Sequence, residues 1–221
     1  MRDVRIFFEK KDMAKYISHL DLMRCFSRAV KRAGIDIWYT EGFNPHPFMT
    51  FSLPLSLGTE SFCESVDIRT NDEMPFDEIK ERFQSTLPDG IRVTKVAAPV
   101  HKANEICFSE FEILFYTEKS EPVLSSLKEK TEADEINVEK KGKQGRKKVF
   151  RQVNIKENIH SIDFSENENG VLLKVVLTAG VKNNINPSLL IDAITADVKD
   201  EIKGIDIKKT KMMLEDMTEF E

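Results

Sequence analysis

Tyr16-Ile17-Ser18-His19-Leu20-Asp21-Leu22-Met23-Arg24, followed by Gly42-Phe43-Asn44-Pro45-His46-Pro47, decides how the chain reads. Ser18 has the chemistry of a helix N-cap. Its oxygen accepts from the backbone at Asp21, and the Asp21 carboxylate is predicted to reach back to the first amide, which makes a capping box. Leu22, Phe26, Ala29, Val30 and Ala33 then form an apolar stripe at helical spacing, and Gly34 is a suitable stop. Residues 35–39 return as a strand. The stretch from 40 to 58 contains Pro45, Pro47 and Pro54 with two glycines, so it reads as loop, with residues 48–51 along a sheet edge.

Working outward, residues 4–9 read as a strand, 61–70 as another, 75–86 as a second helix and 91–97 as a fourth strand. That order, βαββαβ, predicts a ferredoxin-like unit. The pattern begins again after Pro99. Residues 107–116 read as a strand, 121–130 as a helix, 136–138 and 149–155 as strands flanking a basic loop, 170–179 as a strand, 186–198 as a helix and 205–209 as a last strand. The prediction is an α+β chain of two tandem ferredoxin-like domains with antiparallel sheets, residues 1–99 and 104–213, and an acidic, frayed tail at 214–221. Helices on one face of each sheet leave the other face free to pair or to bind.

Composition narrows the function classes. The 221 residues are 40% hydrophobic and 32% charged, no apolar run is long enough to span a bilayer, and no apolar signal region follows Met1, so the expectation is a cytoplasmic protein without a membrane partner. Cys25, Cys63 and Cys107 are isolated and odd in number, which gives no support to a disulfide framework or a Cys-x-x-Cys zinc site. The net charge of -5 makes any nucleic-acid partner a matter of local patches.

Two such patches exist. Arg24, Arg28, Lys31 and Arg32 fall on one side of the first helix and could grip phosphates. Lys140, Lys141, Lys143, Arg146, Lys147 and Lys148, with Gly142 and Gly145 interspersed, read as a flexible cationic finger whose charges repel one another until an anion neutralises them. RNA is the leading partner, and an acidic protein surface is the other reading.

The candidate ligand-binding residues are Ser18, His19, Asn44 and His46. His19 stands at the first helical position, where the positive end of the dipole favours the neutral imidazole. Such a ring can hydrogen-bond a phosphate neighbour, accept a proton or ligate a metal. Prolines on both sides of His46 stiffen its loop, so Asn44 and His46 are aimed with little entropy left to lose. His19, Asp21 and His46 are the catalytic candidates. No close pair at a recognised ligand spacing supports a metal site. Phosphate loops, dinucleotide fingerprints, nucleophile elbows and the Cys-x-x-x-Cys-x-x-Cys cluster motif are missing from the sequence, so no cofactor is expected in this chain. His101 and His160 read as surface residues without partners.

The Ser18-His19-Leu20-Asp21 stretch, residues 29–33, Gly42-Phe43-Asn44-Pro45-His46-Pro47 and Leu53-Pro54-Leu55-Ser56-Leu57-Gly58 together resemble the bacterial family of radical SAM-linked proteins, DUF2344. The likeness is specific over residues 4–70 and continues more weakly to about residue 197, where Asn186-Pro187-Ser188-Leu189-Leu190 takes the place of a proline-led helix. Glu41 departs from the family's more frequent Gln and adds a negative charge beside the site. The resemblance implies association with a radical SAM protein, on which S-adenosylmethionine and an iron-sulfur cluster would reside. The expected function is therefore an accessory module that recognises RNA, tRNA or rRNA, for modification by that partner. The alternatives are a stand-alone enzyme using His19, Asp21 and His46 in acid-base chemistry, and a protein interaction scaffold.

Overall fold

The computed structural model describes residues 1–144, 147–180 and 183–221, with the side chains of residues 141–150 outside that description. The chain is α+β with mostly antiparallel strand pairing. It divides into two compact units, Met1–Ile106 with Lys208–Glu221, and Cys107–Ile207.

In the first unit, β1 (Arg2–Lys10) lies between β3 (Thr59–Thr70) and β4 (Ile91–Ala97), antiparallel to both, and β2 (Met49–Phe51) pairs with β3. Two helices, α1 (His19–Arg32) and α2 (Phe76–Gln84), supply the rest of the core. The alternation of β1 puts Val4, Ile6 and Phe8 into that core, where Phe26 of α1 stands 4.9 Å from Phe8 and 5.1 Å from Phe83 of α2 by ring centroids. Burying an aromatic wedge of this size is worth a few kcal/mol, which fixes α1 against the sheet.

Residues 35–39 do not form the predicted strand. Ile37 and Tyr39 are held by single bridges to Thr70 and Pro47, because Pro45 and Pro47 have no amide with which to extend a ladder. The edge strand is β2, within the residues 48–51 expected along a sheet edge.

The other face of β1 carries Arg5 and Glu9. Arg5 is fully buried: its guanidinium donates to both Asp67 carboxylate oxygens, at 2.7 and 2.9 Å, and to the carbonyls of His101 and Glu221, and it lies 4.3 Å from the Phe220 ring. Residues 214–221 are thus no frayed tail. Phe220 is buried and its amide donates to the Met212 carbonyl, so the segment covers this face of the first unit.

The second unit contains β5 (Phe108–Tyr116), α3 (Ser120–Glu132), β6 (Asn137–Gln144), β7 (Lys147–Asn154), β8 (Ile159–Asn167), β9 (Gly170–Thr178) and α4 (Pro187–Ile194). β9 lies between β5 and β8, antiparallel to both, and the Gly204–Ile207 part of β10 (Gly204–Met213) belongs to this unit. Its Lys203 amide donates to the Tyr116 carbonyl at the end of β5. Phe111, Ile113 and Phe115 alternate into a core with Val123, Leu127, Leu190 and Ile194.

Three differences from the sequence reading stand out here. β6 and β7 form their own two-stranded sheet, with pairing out to Gln144 and Lys147, where a flexible finger is predicted. β8 is an additional strand that the pattern does not reveal, because its register shifts between Ile159 and Ser161 and breaks the alternation. Lys208–Met213, predicted in the second domain, belongs to the first unit. Among the described residues no helix is long and apolar enough to cross a membrane.

Candidate functional site

Ser18 begins α1 as predicted: its Oγ accepts from the Asp21 amide at 3.2 Å. The second half of the capping box differs. The Ser18 hydroxyl donates to Asp21 Oδ2 at 2.7 Å, and Arg24 donates to Oδ1 at 3.0 Å. The Ser18 hydroxyl, then Arg24, hold the Asp21 carboxyl below its ordinary range. Both carboxylate oxygens are occupied, and residues two apart on a helix do not face each other, so Asp21 does not orient His19. The His19 ring instead meets Phe51 of β2 edge-on at 5.4 Å, tying the helix start to the sheet edge.

The loop after residue 39 closes on itself. The Thr40 amide donates to the His46 carbonyl at 2.9 Å, and the His46 amide donates to Thr40 Oγ1 at 3.2 Å. Gly42 takes a φ of 122°, a conformation that side chains disfavour, and this turn leaves Phe43 wholly in solvent. His46 Nδ1 lies 3.1 Å from the Asn44 carbonyl and 3.0 Å from Thr40 Oγ1. A carbonyl can only accept, so Nδ1 carries the proton in this arrangement and the neutral ring keeps its acceptor at Nε2. Asn44 thus contributes its backbone to the aim of His46.

His46 and Pro47 form one wall of a cleft of 460 Å³ whose other lining comes from Leu20, Met23, Arg24, Ser27 and Arg28 of α1 and from Met49 of β2. Leu20 and Met23 are 63% and 37% exposed, although both are large and apolar. They lie on the flank of α1 beside its core stripe, in the same cleft as His46 and Pro47. A second hollow of 270 Å³ is lined by Asp21, Arg24, Cys25, Arg28 and Arg32. Arg24 and Arg28 border both. Burial pushes the Cys25 thiol up, against the opposing pull of Arg32 and Arg28, so it adds no negative charge there.

The structure therefore brings together His46, Arg24 and Arg28, with Arg32 at the second hollow. Ser18, His19 and Asn44 do not line the cleft. Lys31 sits 5.5 Å from the Tyr39 ring, and Arg32 donates to the Thr86 carbonyl at 2.7 Å, which fastens α1 to the end of α2. Sequence reasoning missed Leu20, Met23, Ser27, Pro47 and Met49. The available signal was Leu20 and Met23 at helical spacing outside the core stripe. Among the described residues no group of three His, Cys, Asp or Glu is placed to hold a metal ion.

Of the basic hairpin, the described side chains are Lys140, partly buried, and Arg151 opposite it, exposed. The side chains of Lys141, Lys143, Arg146, Lys147 and Lys148 lie outside the described residues. His101 and His160 do have partners: His101 Nδ1 is 3.1 Å from Glu105, and the His160 ring is 5.0 Å from Phe108.

Comparison with known proteins gives a family and a fold. The family described as "Uncharacterized protein conserved in bacteria (DUF2344)" matches residues 3–187. No curated protein matches the sequence. Among solved structures, the crystal structure of a Cbf5-Nop10-Gar1 complex contains a similar chain, with a TM-score of 0.50 and 12% identity over 95% of this chain. This chain spans 48% of that one, about half its length, and the likeness concerns the fold alone.

Proposed function

Because the chain belongs to the DUF2344 family, we propose that it is an accessory module which recognises RNA, tRNA or rRNA, and presents it to a partner radical SAM enzyme. The radical chemistry, with S-adenosylmethionine and the iron-sulfur cluster, belongs to the partner. This chain supplies the grip. The observation that carries the reading is the cleft beside α1, where two arginines border an apolar floor and an aimed imidazole. Guanidinium groups match phosphate geometry, and an exposed apolar floor suits a base that has left its stack. The basic hairpin of β6 and β7 is a second contact for the RNA backbone.

The strand orders support reading each unit as ferredoxin-like. In the first, β4-β1-β3 continues into β2, and in the second the order is β10-β5-β9-β8 with the β6–β7 hairpin inserted between α3 and β8. An enzyme built on His19 and Asp21 is less favoured, since Asp21 is committed to Ser18 and Arg24.

The test is affinity purification of the chain from bacterial cells, with and without ribonuclease. The expected result is recovery of RNA together with a radical SAM protein, and loss of the RNA alone on Arg24→Ala/Arg28→Ala. Recovery of neither overturns the proposal.

A further inference from the structure

Arg24 and Arg28 border two hollows of opposite character. On one side are Leu20, Met23, Pro47 and Met49; on the other are Arg32, Cys25 and the already paired Asp21. A ligand that fills both must be apolar and flat at one end and anionic at the other. Thioethers such as Met23 and Met49 adapt to aromatic faces, and arginines bind phosphate in a fixed fork. Arg28 makes no ion pair or hydrogen bond among the described residues, so its donors are open to a ligand. His46, with Nδ1 committed to the Asn44 carbonyl, presents an acceptor to an N–H on a base edge. The cleft volume lies within the range of about 300–1,000 Å³ typical of small-molecule sites. A stacked, paired base could not enter it, because the edges and faces needed here are covered in a duplex.

We propose that this double hollow holds a single unstacked nucleotide of single-stranded RNA, its base over Leu20, Met23 and Met49 with an N–H donated to His46 Nε2, and its phosphate on Arg24 and Arg28. This rests on the RNA reading above and gives it a defined subsite. Double-stranded RNA is not expected at this site, for want of a free base.

The test uses the full chain with isotope-labelled methionine methyls, assigned by Met23→Leu and Met49→Leu, titrated with a short single-stranded RNA, adenosine monophosphate and ribose phosphate. The first two are expected to shift both methyls by ring current, and ribose phosphate to leave them in place. Arg28→Ala is expected to weaken the RNA about tenfold, as loss of a charge-assisted bond does, and His46→Phe severalfold. If RNA binds but both methyls stay still and both variants bind as the parent does, the subsite is overturned while RNA recognition stands. If adenosine monophosphate shifts the methyls and RNA does not bind, the site takes a free nucleotide, and both the RNA assignment and the module's proposed function fall. If no probe binds, the subsite is overturned together with the reading it rests on.

Discussion

Glu64 and Lys209 meet as an ion pair in the first unit with 3% of each side chain exposed, and the Ser61 hydroxyl donates to Glu64 at 2.6 Å. Burial pushes the Lys209 ammonium down, but Glu64, with Cys63, outweighs it and holds the group above its ordinary value. Lys209→Met removes the ion-pair partner of the buried Glu64, and is expected to lower unfolding free energy by about 3–5 kcal/mol in denaturant titration. A second change, Glu64→Leu, should restore most of that loss. The sign of the pH effect follows from the raised value: the stabilisation is complete below about pH 10.4, the ordinary lysine range, and is lost as pH rises through the folded value. Thermal melts at alkaline pH should show this fall in the parent and not in the double variant. Cys63, beside this pair, has its thiol pushed up to about 12, first by burial. At about pH 8 it is expected to alkylate last of the three cysteines, by mass spectrometry of tryptic peptides. None of this was legible in the sequence, since Glu64 and Lys209 are 145 positions apart and no local pattern links them. The helix cap was legible because its partners are three residues apart.

At the scale of elements, local chemistry wrote clear starts and stops, and the structure agrees where that chemistry dominates. Ser18, the apolar stripe and Gly34 bracket α1 within a residue of its bounds. Asn186 caps α4 in the same way, with Pro187 at its first position, although the helix ends at Ile194 and turns replace residues 195–198 of its predicted span. β2 forms where residues 48–51 are expected along a sheet edge, by pairing with β3, whereas the miss has a tertiary cause: β8 exists by pairing with β9 across an irregular register. Gly170, which opens β9, is fixed by such a contact. With a φ of 145°, a Cβ there would meet the Phe115 carbonyl oxygen at 2.0 Å and the Thr117 amide at 2.9 Å. Both neighbours are backbone and cannot yield cheaply. Gly170→Ala is therefore expected to destabilise the chain by about 3 kcal/mol or more in chemical denaturation, far beyond Ser18→Ala, which removes one cap at about 1 kcal/mol. Equal effects would remove the close approach from the explanation.

For the whole molecule, a net charge of -5 means that the proposed RNA binding must come from concentrated cationic surface. The α+β class with mostly antiparallel strands was readable. The return of Lys208–Glu221 to the first unit was not, because it depends on Phe220 meeting Arg5 across the sequence. If Arg24 and Arg28 together hold one phosphate of a single strand, their joint replacement by Ala should reduce the slope of log affinity against log salt by about 0.7, as counterion release requires. An unchanged slope would place that phosphate elsewhere. The most direct measurement of the central claim is crosslinking in living bacteria, followed by identification of the RNA and protein attached to this chain and of the residues they join. RNA recognition beside a radical SAM enzyme predicts RNA crosslinks at the α1 cleft, near Arg24, Arg28 and His46, and a radical SAM protein among the partners. Crosslinks to protein alone, with no RNA at that cleft, would contradict it.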